Sequence, residues 1–171
     1  MFDQYEGSSS RMPAWAYGGE STEQAEAPAL AGKKDSMARA VRLIGAETLS
    51  SVAQYSYAAS VEPGARLIFL AGACPLDAQG RTVGVDDVAQ QASCAVVNMV
   101  AALEAAGAEL ADVVFTRVLV ASARQEDLVA AWNVVRDAFD GHPVPSTLLG
   151  VTVLGYPDQL VEIEAVAAVL E

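Results

Sequence analysis

The sequence predicts an α+β domain in which two helices cover one face of a mixed β-sheet. Three observations carry that expectation. Short β-branched runs bounded by turn residues recur along the chain after residue 40, and two longer segments place apolar residues at steps of three and four. The final run alternates from face to face as a strand does.

The elements follow in order. Ala40 to Ile44 is short and semi-apolar. Gln54 to Ser60 and Arg66 to Ala73 are strand-like and flank Glu62-Pro63-Gly64, a turn signal, so a β-hairpin between them is expected. A polar loop after Cys74-Pro75 leads to Asp86-Asp87. These carboxylates suit the positive end of a helix, where they can also cap free N–H groups. Val88, Ala92, Val96, Met99, Leu103 and Ala106 then mark one face of that helix, and Gly107 supplies a left-handed stop. Val113 to Ala121 is β-branched and reads as a strand. A second helix is expected from Gln125 to Phe139, with Leu128, Trp132, Val135 and Phe139 on one stripe. Strands over Ser146 to Leu154 and Gln159 to Leu170 close the chain, giving the order β-β-β-α-β-α-β-β.

The last strand shows what each face of the sheet has to do. Val161, Ile163, Ala165, Ala167 and Val169 point one way and suit the helices. Leu160, Glu162, Glu164, Val166 and Ala168 point the other way, with the two carboxylates roughly 7 Å apart along the strand. A face of that kind is either solvated or a subunit interface containing a polar pocket.

Composition narrows the function classes. Residues 1–37 hold Ser8-Ser9-Ser10, Gly18-Gly19 and alternating charges without a sustained apolar period, and are expected to form a flexible tail ahead of a domain spanning residues 38–171. No basic start followed by an apolar stretch marks a secretory signal, and no apolar run is long enough to cross a bilayer, so a cytoplasmic protein is expected. Residues 46–171 carry five arginines, no lysine and sixteen acidic side chains, a net of −11. Phosphate neutralisation dominates nucleic-acid affinity, so RNA is an unfavourable partner. Cys74 and Cys94 lack metal-ligand spacing and read as small buried hydrophobes, and His142 reads as a loop residue. Neither a metal nor a cofactor is expected.

Three strings together, LAGACPLDAQGRTVG (70–84), LEAAGAELADVV (103–114) and LVEIEAVAAV (160–169), resemble the RidA family, also called YjgF/L-PSP, across residues 40–171. The resemblance implies a chorismate-mutase-like fold and a homotrimer with small-molecule clefts between adjacent subunits. It also implies hydrolysis of imines and enamines released by pyridoxal-phosphate enzymes. In that family an arginine in a P-x-R-[ST] segment grips the substrate carboxylate, and a glutamate at the head of the last strand positions water. The glutamate corresponds to Glu162. A family tyrosine corresponds to Tyr55, an asparagine of the second helix to Asn133, and a glycine after the second strand to Gly72. Tyr55 is equally compatible with ordinary packing, and Asn133 is expected to organise the pocket by bonding to a neighbouring loop's backbone without touching ligand.

The departures bear on substrate. The P-x-R-[ST] segment reads Pro145-Ser146-Thr147-Leu148 here, so Thr147 stands at the position of the arginine, with Ala71 and Leu149 replacing further polar family positions. Losing one member of a buried charge pair costs about 2–5 kcal/mol, which is roughly thirtyfold to several thousandfold in binding of a 2-imino acid. Arg117 either reaches the cleft as a substitute clamp or pairs with a carboxylate such as Glu164. The expected function is a RidA-type trimer acting on an imine, enamine or related metabolite without a strongly bound carboxylate. The alternative is a non-catalytic ligand-binding or interaction trimer, and endoribonuclease activity is disfavoured.

Overall fold

The computed structural model describes residues 39–52 and 54–170. The expected tail, residues 1–37, lies outside the described residues. Strands β1 (Val41–Ile44), β2 (Ala58–Val61) and β3 (Arg66–Phe69) precede helix α1 (Val88–Ala105). A single 3₁₀ turn then leads into β4 (Val113–Val120), α2 (Gln125–Ala138), β5 (Ser146–Gly150) and β6 (Val161–Val169). The element order is the one the sequence predicts.

The main sheet has the order β3-β6-β4-β5, with β6 antiparallel to both neighbours and β4 parallel to β5. Its helix-facing side is built as the alternation requires: Val161, Ile163 and Ala167 of β6 and Val118 and Val120 of β4 are fully buried. Ala92, Ala95, Met99 and Leu103 of α1 and Ala131 and Val135 of α2 close the same core. Truncating Leu103 to alanine would cost about 2–5 kcal/mol by the usual cavity penalty. Asp87 caps α1 by accepting the Gln90 N–H at 2.9 Å. Glu126 and Asp127 in the first turn of α2 and Arg136 in its last turn complement the helix dipole.

The expected hairpin between Gln54–Ser60 and Arg66–Ala73 does not form. Instead β2 pairs with β1, from Val41↔Val61 to Ile44↔Ala58, while β3 pairs with β6, from Arg66↔Val169 to Phe69↔Val166. The turn at Glu62-Pro63-Gly64 reverses the chain but hands it from one sheet to the other. β6, at nine residues, offers β3 a buried central partner that a four-residue strand cannot match. The small β1–β2 sheet packs Ala40 and Val41 against Ala168, covering one end of the main sheet on the face opposite the helices. Toward Glu162 that face stays open, with Phe69 at 74 % exposure.

Candidate functional site

Cross-strand register arranges the open face in rows. Thr147 of β5, Arg117 of β4 and Glu164 of β6 are paired neighbours in one row, and Leu149, Leu119 and Glu162 form the next. Paired residues point to the same side of a sheet. Of the two roles the sequence allowed Arg117, the structure shows the pairing: it lies on the open face and its Nη1 binds Glu164 Oε2 at 2.5 Å, with both side chains about two-fifths exposed. Its charge is already matched. A cleft of about 440 Å³ runs along this surface, bounded by Phe69, Ala71 and Gly72 on one side and Phe115, Arg117 and Glu164 on the other.

Glu162 has a different environment from Glu164. Its Oε2 accepts a hydrogen bond from Gln159 Nε2 at 3.1 Å and faces Cys74 Sγ at 3.6 Å. No cation binds it among the described residues. Gly72 lies directly beneath: a Cβ there would fall 1.9 Å from Glu162 Oε1, 2.6 Å from Cδ and 2.9 Å from Cγ. The glycine is not required by its backbone, since it is not among the positive-φ glycines. It is required by the space the carboxylate occupies.

Thr147 is exposed and lies two strands and one row from Glu162, roughly 12 Å between Cα atoms by sheet spacing and rise. Tyr55 meets Trp132 edge-on at 6.0 Å and Tyr57 at 5.6 Å, so its described contacts are aromatic packing and do not include Glu162. Asn133 is exposed, and its Oδ1 accepts from Arg136 Nη1 at 2.9 Å within the same helix; no bond from it to a loop backbone occurs among the described residues of one protomer. A second cleft of about 580 Å³ opens here, against Trp132, Val135, Phe139 and Gln54. One protomer thus brings Glu162, Gly72 and, one row on, Arg117 and Thr147 to the open face. Tyr55 and Asn133 stand apart, beside Trp132.

The sequence reading missed three participants. Cys74 is only partly buried, and burial first, then the Glu162 charge, push its thiol above the ordinary 9.0, which keeps it protonated beside the carboxylate. Gln159 is buried and contacts the carboxylate directly. Asn98 of α1 donates to the carbonyls of Cys74 at 2.8 Å and Leu76 at 3.0 Å, fixing the loop that carries Cys74. A polar residue three positions before a strand glutamate, and an asparagine inside an apolar helix, were the only signals available. His142 is a buried loop residue whose Nε2 lies 2.7 Å from the Val113 carbonyl. Among the described residues no three His, Cys, Asp or Glu side chains cluster as a metal site, and no helix is long and apolar enough to cross a membrane.

The sequence model of the family described as Endoribonuclease L-PSP matches residues 45–169. Among solved structures, a Rid-family protein of unknown function, YyfB from Yersinia pestis, is 32% identical over 76% of this chain and 99% of its own, with a TM-score of 0.71. Rv2704 from Mycobacterium tuberculosis, of the YjgF/YER057c/UK114 family, is 31% identical over 75% and 99%, with a TM-score of 0.51. TdcF from E. coli, solved with bound serine, is 27% identical over 74% and 92%, with a TM-score of 0.52. No curated protein matches. The extent of the family match, together with the identity and full-length coverage of the Rid structures, places this chain in the Endoribonuclease L-PSP family of Rid proteins.

Proposed function

We propose that this chain forms a homotrimer whose intersubunit clefts bind a small neutral or weakly charged imine, enamine or related metabolite and hydrolyse it, with Glu162 activating water. The observation that carries this reading is the state of the two carboxylates on the open face. Glu164 is matched by Arg117, whereas Glu162 is held by neutral partners over Gly72, a residue that lines the cleft, and binds no cation among the described residues. Because Tyr55 does not touch Glu162 within one protomer, the reading requires a neighbouring subunit to bring it to the cleft. The open apolar face beside Phe69 and Leu149 is the surface such a neighbour would cover.

In the proposed reaction Glu162 takes a proton from water as the water oxygen bonds to the imine carbon, and passes that proton to the nitrogen, which returns the carboxylate to its starting state. The resulting carbinolamine collapses, the C–N bond breaks, and ammonia leaves behind a carbonyl compound. Thr147 offers a neutral hydrogen bond where a carboxylate would need a cation. The family description names an endoribonuclease, but RNA cleavage is disfavoured by charge. Of the five arginines in residues 46–171, Arg81, Arg117, Arg124 and Arg136 are each paired with a carboxylate.

The test compares two probes: 2-iminopropanoate formed in situ from alanine by a flavin amino-acid oxidase with O₂ as oxidant, and benzaldimine formed in situ from benzylamine by a flavin amine oxidase with O₂. Wild type should hydrolyse the neutral imine and handle the imino acid poorly. Thr147→Arg should raise kcat/KM for the imino acid by about thirtyfold or more, and Thr147→Arg with Glu162→Gln should lose the gain. Efficient wild-type turnover of the imino acid would show that another group supplies the clamp. No gain in a trimeric Thr147→Arg protein, with no turnover of either probe, would favour the non-catalytic ligand-binding trimer.

A further inference from the structure

Burying a glutamine removes water from both ends of its amide, so the side chain is kept inside only where fixed partners replace that water. Two are buried around one short turn here, Gln91 at 0% exposure and Gln159 at 4%. Gln91 reaches out of α1 to grip the turn on both sides of Gln159. Its Nε2 donates to the Asp158 carbonyl at 2.8 Å and the Gly84 carbonyl at 3.1 Å, and its Oε1 accepts the Leu160 N–H at 2.7 Å. Asp158 stands at φ +57°, in the left-handed region that aspartate tolerates better than most non-glycine residues, and its carbonyl is one of the groups Gln91 holds.

The orientation of the Gln159 amide follows from its bonds. Its Oε1 accepts the Tyr156 N–H at 3.0 Å, so its NH₂ group must face the other way, where it donates to the Val161 carbonyl and to Glu162 Oε2, both at 3.1 Å. A flipped amide would place an acceptor against a carboxylate and a carbonyl and a donor against an N–H, losing all three bonds. Cys74 Sγ approaches the same Oε2, while Oε1 has no hydrogen bond among the described contacts and lies over Gly72. The other charged groups on this face, Arg117 of β4 and Glu164 of β6, bind each other, and the β4 partner of Glu162 is the apolar Leu119.

We propose that Gln159 is a positioning residue that fixes Glu162 through Oε2 and reserves Oε1 as the oxygen that takes the proton from water, with Gln91 holding the turn beneath it. This rests on the reading of Glu162 as the water-activating group. An unbraced glutamate at a strand end samples several rotamers and presents either oxygen. One anchored by a neutral donor presents a single lone-pair direction without being quenched by a cation.

The test has a geometric arm and a kinetic arm. In glutamine-selective ¹⁵N-labelled protein, Glu162→Ala should shift the Gln159 side-chain amide signals and speed their exchange with water; unmoved signals overturn the proposal whatever the activity. With benzaldimine as the probe, Gln159→Leu should lower kcat about ten- to a hundredfold with KM within about twofold. Gln159→Glu, which keeps the length but faces Glu162 with an acceptor, should fall at least as far. In the Glu162→Gln background neither change should lower the rate further, because Gln159 acts only through that carboxylate. An equal loss in that background would make Gln159 merely structural and overturn the proposal. Shifted amide signals with undiminished turnover by Glu162→Gln would instead defeat the hydrolytic reading, and with it any positioning role in the reaction.

Discussion

Gly72→Ala places one methyl group where the Glu162 carboxylate now sits, and the structure sets the scale of the response. The added Cβ would lie 1.9 Å from Oε1, 2.6 Å from Cδ and 2.9 Å from Cγ, all inside normal contact distance. Turning the terminal carboxylate relieves the first contact but not the last, so the whole side chain must leave its rotamer. Gln159 Nε2 then keeps only the Val161 carbonyl, and a buried donor left short of a partner costs about 1–3 kcal/mol. Against this, alanine restricts the unfolded chain and returns about 0.4–1 kcal/mol. The expected net loss is about 1–2 kcal/mol, or several degrees in Tm for a domain of this size. In a Glu162→Ala background all three colliding atoms are gone, so the same Gly72→Ala change should be neutral or stabilising by about 0.4–1 kcal/mol. Urea unfolding of the four proteins, each checked for the same oligomeric state, measures this reversal of sign. Equal destabilisation in both backgrounds would refute the claim that Gly72 exists to make room for Glu162.

Cys74 reports on the same carboxylate. Its thiol is raised above the ordinary 9.0 by burial and by the Glu162 charge, so in a Cys94→Ala protein Glu162→Gln should lower the thiol pKa. At about pH 8 the thiolate fraction then rises and iodoacetamide should alkylate Cys74 faster than in the protein with Glu162 intact; a slower rate would mean the charge does not act on the thiol. Gel-shift titration with mixed-sequence RNA at physiological salt should show no salt-sensitive binding at micromolar protein, given the net of −11 over residues 46–171.

Local chemistry sufficed for much of this molecule. The sequence by itself determined the order of the elements, because each helix carries its own apolar stripe and polar start, and because β6 alternates over nine residues. That alternation also assigned Glu162 and Glu164 to the face away from the helices before any partner was known. Strand pairing was a different matter. β1, β2 and β3 are four residues each, too short for periodicity to choose a partner, and the turn at Glu62-Pro63-Gly64 says only that the chain reverses. Which strand each one joins was decided by the burial that β6 and Ala168 offer, a property of the assembled sheet. The distinction between the two glutamates was equally invisible in the sequence. It depends on Arg117 reaching Glu164 across 47 residues, on Cys74 meeting Glu162 across 88, and on Gln91 gripping Leu160 across 69. Contacts at such separations are set by how the layers close, and only the closed structure shows that one carboxylate is matched by a cation while the other is held by neutral groups over a glycine.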